Sequence, residues 1–217
     1  MLKAHVIRPP ARAGRRTVRR TQDERRAETR AKLLAAGVEC ICELGYGEIT
    51  VVDVAKRAGL TRGAVQHHFG NRDDLCLAIV EEFGHTLDRW DRSILGSFSL
   101  TIDERVGRAI DRYWESFRNP HFVAVVLIWL GVRNNKDVYP VLAKKMNVFE
   151  RKFDHDWQRL FADTGLSRRQ LAAARHIALS ALRGLALRKI YRGTTASWAE
   201  ELSLLKRMLT AALRTRS

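Results

Sequence analysis

Between Thr50 and Phe69 the chain reads TVVDVAKRAGLTRGAVQHHF, a pattern that two short helices joined by a tight turn satisfy. Thr50 is a natural N-cap, and Asp53 three residues on completes a capping box. Val51, Val54 and Ala55 then recur at helical spacing and give this helix a small apolar face. Gly59 supplies the backbone position that ends it, with Leu60 as an apolar plug. Thr61 caps the second helix, whose Val65 and Phe69 point one way while Arg62, Gly63, Gln66 and His67 point the other. A short helix with a packed back and a polar, uncluttered front is what a major groove accepts.

The flanking segments supply a cover for that pair. From about Gln22 to Leu44, Ala27, Ala31, Leu34, Val38 and Ile41 fall at spacings of three and four, so one face is continuously apolar. Gly45 and Gly47 end this helix and turn the chain toward Ile49 and Thr50. After Phe69, Asn71 caps a long helix with Asp73 and Asp74 in its first turn, where the macrodipole favours acids. Leu75, Ile79, Phe83, Leu87 and Trp90 continue along it, so it is predicted to run on as a mechanical link into the second half. Arg72, beside the free N–H groups of its first turn, is placed to hold a DNA phosphate.

In order, Thr50, Asp53-Val54-Ala55, Ala58-Gly59-Leu60, Arg62-Gly63, His68-Phe69, Arg72 and Leu75 resemble the DNA-binding domain of the tetracycline-repressor (TetR) family of bacterial regulators. The resemblance covers roughly residues 25–83. It implies a helix-turn-helix over about 50–69, with Thr50, Thr61, Arg62, Gly63, Ala64, Gln66, His67, His68 and Arg72 at the DNA and His68 on backbone phosphate. Gln66 stands where the family usually has Tyr, and Arg72 where it usually has Lys. Both keep polar reach, so the departures bear on the preferred DNA sequence rather than on binding.

The sequence has 217 residues, a 46% hydrophobic content and a formal net charge of +15. Such a length allows one large domain or two small ones, and the charge argues for a polyanionic partner. No run of eighteen apolar residues exists and the N-terminus lacks the apolar segment of a signal peptide, so the expectation is a cytoplasmic protein with no membrane partner. Cys40, Cys42 and Cys76 are an odd number without metal-ligand spacing and read as reduced thiols. His67 and His68 are adjacent and diverge on a helix, so they cannot chelate one metal together. Without a phosphate loop, nucleophile elbow or carboxylate pair, neither an enzyme nor a cofactor is expected. Residues 1–21 are read as a disordered basic arm: Lys3 and six arginines lie there without an acid, next to the DNA-binding helices.

Beyond a pause near Gly96 to Thr101 the pattern stays helical. Ile102 to Phe117 is amphipathic, Phe122 to Val132 is apolar almost all round and is predicted to be a wholly buried helix, and Pro140 opens or kinks a long helix reaching Leu160. Ser167 with Gln170, and Ser197 with Glu200, form capping boxes that start the last two helices. Large rings crowd this half. Tyr113, Trp114, Phe117, Trp129, Phe153 and Trp157, with His121, Arg133 or His155 as a polar contact, are the candidate lining of a cavity for a lipophilic or aromatic effector. The family resemblance implies such a site without giving the effector. Ala178, Ala181 and Leu185 on one late helix, and Leu205 and Leu209 on the other, are the candidate dimer interface.

The fold expected is all-α: a three-helix DNA-binding domain over 22–83, joined by a long helix to an effector-binding and dimerisation domain over 84–217. The function expected is a homodimeric transcriptional regulator on a palindromic double-stranded DNA operator, a repressor released by a small molecule. Its rival is a constitutive dimeric or architectural DNA-binding protein with no ligand.

Overall fold

Thr21 closes the basic arm by starting the first helix: its hydroxyl accepts from the Glu24 N–H at 3.2 Å, and the Glu24 carboxylate accepts from the Thr21 N–H at 2.8 Å. The structure, a computed structural model, describes residues 21–95, 99–192 and 197–214, except the side chains at 90–95 and 189–192. Of the arm expected over residues 1–21, residues 1–20 lie outside the described residues, as does the Trp90 side chain.

Among the described residues there are nine α-helices and no strand. In chain order they are α1 (Gln22–Glu48), α2 (Val51–Ala58), α3 (Arg62–Phe69), α4 (Arg72–Leu95), α5 (Ile102–Phe117), α6 (Pro120–Val132), α7 (Val138–Leu160), α8 (Arg168–Arg192) and α9 (Ala199–Arg214), with a single 3-10 turn at Ala162–Thr164 after α7. The caps read from sequence account for most starts. Thr50 and Asp53 form their reciprocal box, Asn71 accepts from the Asp74 N–H at 2.9 Å, and Ser167 pairs with Gln170. Thr101 with Glu104 forms a further box that starts α5. Gly45, at φ +81°, breaks the end of α1, and Gly59, at φ +65°, ends α2 in the left-handed region.

The first three helices bury Leu33, Leu34, Ile41, Val54, Ala55, Val65 and Phe69 together. α4 closes this core with Leu75 and Ile79, then continues beyond it with Phe83 and Leu87. At Gly37 a Cβ would lie 2.9 Å from Ile79 Cδ1, so the bare glycine lets α1 and α4 approach.

Packing shows no gap at the expected boundary near residue 83: one continuous cluster of buried side chains runs through both halves. Its bridge is α6, which packs on α1 as well as on α4 and α5. At that bridge Cys42 donates to the Pro120 carbonyl at 3.4 Å, His121 Nε2–H to the Ile79 carbonyl at 2.8 Å, and Tyr46 lies against Gly131. Nor is α6 wholly buried. Phe122, Val125, Ile128 and Val132 are, but Leu130 is 66% exposed. Its all-round apolarity reflects two different apolar duties, packing on α1 and lining a cavity.

Pro140 lies in the first turn of α7, so it opens that helix rather than kinking it. Arg105, 3% exposed, bolts α5 to the end of α7 through the Leu160 carbonyl and a paired contact with the Asp163 carboxylate at 2.8 and 2.6 Å.

A Cβ at Gly131 would lie 2.3 to 2.7 Å from Tyr46 Cδ1, Cγ and Cβ, too near the Tyr46 backbone for a rotamer change to relieve. Gly131→Ala is therefore expected to destabilise the protein by about 1–3 kcal/mol in chemical denaturation, as overpacking does. A loss under ~0.5 kcal/mol would show that α1 and α6 are not rigidly apposed.

Candidate functional site

The α2–α3 pair presents one polar surface. Val65 and Phe69 anchor α3 inward, and Thr61, Arg62, Gly63, Gln66 and His67 are all exposed on the opposite side. At Gly63 only Thr61 Oγ1, 3.8 Å away, is near an added Cβ, so nothing from the protein crowds that face. The Thr61 hydroxyl caps α3 by accepting from the Ala64 N–H at 3.2 Å. Ala64 and His68 sit half-buried on its flank. Thr50 is exposed, but its hydroxyl is engaged in the Asp53 capping box, donating to the carboxylate at 2.5 Å. Arg57 is tied to Glu43 and, at 3.5 Å, to Glu39, which fixes α2 on α1.

The structure adds two cations that helical periodicity alone did not single out. Arg30 lies over the Phe69 ring at 5.5 Å, and Arg26 and Arg30 both act electrostatically on His68. Burial, then the charges of His67, Arg26 and Arg30, hold the His68 pKa below the ordinary imidazole range. The recognition side is thus positive even with His68 neutral.

Arg72 is placed differently from its sequence reading. Its guanidinium folds back over the Tyr46 ring at 4.7 Å, contacts Asp73 at 3.3 Å and donates to the Gly47 carbonyl at 3.4 Å. Tyr46 in turn donates to Asp73 at 3.1 Å. In this conformation Arg72 ties the α1 end to the α4 start instead of extending to a phosphate, because a stacked, part-buried partner was available nearby.

In the second half, the candidate lining residues separate. Tyr113, Phe117, Trp129 and Phe153 come together around a cavity of about 400 Å³. Trp114 instead packs edge-on against Trp198, 6.4 Å between centroids, and Trp157 lies against Phe161 at 4.6 Å. His121 is bonded to the Ile79 backbone, while Arg133 and His155 are exposed. These five are not among the lining residues. The walls are completed by Phe83 and Leu87 of α4, the apolar flank of α6, Met146 of α7 and Leu179 of α8.

The polar end is Glu150, Arg175 and Arg183. Arg175 is 1% exposed and donates to Glu150 at 3.0 Å and Asp154 at 2.8 Å. Burial opposes its charge, but Tyr113 and Glu150 outweigh that and hold its pKa above the ordinary arginine value. Arg183 reaches the other Glu150 oxygen at 3.3 Å and lies 5.5 Å over the Phe117 ring. Glu150 is pushed up by burial but more strongly down by Arg175 and Arg183, so it stays ionised.

The dimer candidates are also redistributed. Ala178 and Leu209 point into the chain's own core, at 3% and 5% exposure, so they are not free for a partner; Ala181, Leu185 and Leu205 are intermediate. The exposed side of α8 is Ala173, Ile177, Ser180 and Gly184, and that of α9 carries Leu204 and Met208. Both helices carry exposed apolar or small side chains, one residue out of phase with those read from the sequence.

His121 yields a pH expectation. Burial lowers its pKa more than the Ile79 carbonyl and Glu82 raise it, so the unfolded chain binds the proton more readily than the folded one. Stability is therefore lost as pH falls below the ordinary imidazole value of about 6.5. His121→Gln, which keeps a donor for the Ile79 carbonyl, is expected to flatten that acid-side loss in denaturation midpoints between neutral and mildly acidic pH. An unchanged slope would remove His121 from the titration.

Comparison with known proteins accords with this architecture. Residues 33–79 match the model of bacterial regulatory proteins of the tetR family. The chain is 30% identical over 178 residues to the HTH-type transcriptional regulator CymR of Pseudomonas putida, covering 80% of this chain and 85% of that protein. The fold is shared with the fatty acid degradation regulator FadR from Bacillus halodurans, with TM-score 0.68, 17% identity, and 87% of this chain and 97% of that one covered. It is shared equally with FadR from Bacillus subtilis in complex with stearoyl-CoA, with TM-score 0.66, 18% identity, and 84% and 98% covered. Aligned with one such regulator over most of its length and carrying the family's helix-turn-helix on α2 and α3, the chain belongs to the tetR family of bacterial regulatory proteins.

Proposed function

We propose that this DNA-binding regulator is a cytoplasmic, homodimeric repressor that leaves a palindromic operator when a small molecule occupies the cavity of the second half. The observation that carries this reading is the cavity's walls. Phe83 and Leu87 belong to α4, whose first turns close the DNA-binding core, and Phe122, Val125, Val126, Trp129 and Leu130 belong to α6, which packs on α1. A ligand that favours one arrangement of α4 and α6 thereby favours one placement of α3. It must bind the two arrangements unequally, since equal affinity shifts nothing. The sequence pointed to α4 alone as the link; α6 gives a second path.

A constitutive DNA-binding protein would be better served by a filled second half, and the cavity of about 400 Å³ argues against it. Val126→Trp, which places a large ring at the cavity wall, is the discriminating variant. It is expected to change operator affinity several-fold while circular dichroism stays helical. Unchanged affinity would favour the constitutive reading. The stearoyl-CoA held by the Bacillus subtilis regulator supports an apolar ligand in this fold, without carrying that ligand to this chain.

Base reading is assigned to Gln66 and His67, with Arg62 on phosphate, on the support of their exposure on one face of α3. A glutamine can pair bidentately with adenine, for about 1–3 kcal/mol of discrimination. Gln66→Ala is therefore expected to relax sequence preference at one position per half-site. Equal weakening on all DNA sequences would place Gln66 on the backbone instead.

Dimerisation is assigned to the exposed faces of α8 and α9, where Ile177 is 69% and Met208 61% exposed. Two short recognition helices need a fixed separation of about one DNA turn to bind together. Met208→Arg would bury unpaired cations across the two-fold axis at a cost of several kcal/mol. Sedimentation is expected to give monomers, with operator binding lost; an intact dimer would move the interface elsewhere.

A further inference from the structure

We propose that Arg26 and Arg30, on the uncovered start of α1, hold DNA phosphates beside the recognition helix and add sequence-independent affinity to that of α2 and α3. This rests on α3 facing the DNA, as assigned above, and extends the contact to a third helix.

The phase of α1 carries the inference. Its inward stripe runs back from Ile41 through Gly37 to Leu33, all buried. Continued at the same spacing of three and four, that stripe reaches Arg30 and then Arg26. The core stops before them. Every residue from Gln22 to Glu28 is exposed, Ala27 included, although the sequence placed Ala27 on the apolar face. The helix thus runs about two turns, roughly 10 Å, past the residues it packs against. Two uncovered turns gain nothing from burial, and the side they turn toward α3 bears arginine where the core bore leucine.

That side borders the recognition helix. The Arg30 guanidinium lies 5.5 Å over the ring of Phe69, the last residue of α3, and Arg26 follows one turn farther out. Their charge reaches His68 on the flank of α3, whose imidazole is held down first by burial, then by His67, Arg26 and Arg30. A helix seated in a major groove about 12 Å wide has a phosphate backbone along each flank. Cations off the flank of α3 therefore meet phosphates rather than base edges.

The two arginines are also unspent. Glu24 is engaged in the Thr21 cap, and Glu28 pairs with Lys32 at 3.1 Å around the helix from Arg26. Asp23 shares the side of Arg26, yet neither Arg26 nor Arg30 forms an ion pair with a carboxylate among the described residues. An exposed, unpaired guanidinium fork suits a phosphate, and its binding releases condensed counterions.

The test is the dependence of log K on log salt for the full-length protein, by fluorescence anisotropy. The probe is a duplex that the wild-type protein selects from a random-sequence pool, with a scrambled duplex beside it. Arg26 is exposed, so Arg26→Gln should fold. It is expected to reduce the magnitude of the slope by about 0.9 per protomer and to weaken both duplexes alike. Lys32→Gln removes the same charge from the Glu28-paired side and is expected to leave the slope unchanged. An unchanged slope in Arg26→Gln would overturn the proposal. An equal loss in Lys32→Gln would also overturn it, by reducing the effect to net charge. A preference relaxed at one base position would move Arg26 from phosphate to a base edge. Arg30→Gln also removes the stack on Phe69, so its slope is read together with its denaturation midpoint. A lowered midpoint with the wild-type slope would make Arg30 a packing residue alone. Gln66→Ala reports on sequence preference and Arg26→Gln on the slope, so failure of the α3 assignment and failure of this one are distinguishable.

Discussion

A thirteen-residue helix with no charged side chain gains most by hiding apolar surface, and α6 does so by packing on α1, α4 and α5 together. Each large apolar side chain it buries contributes roughly 1.5–3 kcal/mol, and Phe122, Val125, Ile128 and Val132 are all buried. One flank is covered by α1, so the DNA-binding helices are held to the second half by core packing rather than by a linker. The other flank faces the cavity. Contact between the halves is thus a consequence of where an apolar helix could hide.

Polar contacts fix the register of that packing. The His121 and Cys42 contacts seat the α6 N-terminus against α4 and α1, and Tyr46 against Gly131 seats its C-terminus. Tyr46 also joins Asp73 and stacks under Arg72, so one ring touches the end of α1, the start of α4 and the end of α6. Such a junction holds α6, α4 and the end of α1 together by direct contact, with no linker between them.

The helices and their starts were legible because capping chemistry is local: Thr50 with Asp53 and Ser167 with Gln170 act over three residues. The inward side of α3 was legible for the same reason, since Val65 and Phe69 recur one helical turn apart and both are buried. The cavity was half legible. Tyr113, Phe117, Trp129 and Phe153 were found, but the ring count could not tell these from Trp114 and Trp157, which pack against rings the sequence places far away. Which side of α8 is exposed was not legible: the helix is apolar or small on several sides, so periodicity did not separate Ala178, which faces inward, from Ile177, which faces out. The stacking of Arg72 was not legible because its partner, Tyr46, is distant in sequence.

The polar end of the cavity did leave a signal. Arg175 falls at the spacing of the buried stripe Leu171, Ala178 and Leu182, and Glu150 falls between Met146 and Phe153 on the inward side of α7. Charges at core positions of two facing helices are paired charges, and burying such a pair gives no stability that well-packed apolar residues would not match. Arg105 has a stability role all the same, since its guanidinium caps the Leu160 carbonyl and grips Asp163 where α7 ends. Arg175 ends no helix. It spans from Asp154 on the outer groove to Glu150 on the inner wall, in a core that leaves space beside it. The buried cation is held there by two carboxylates of α7, so it fixes α8 on α7 beside the cavity.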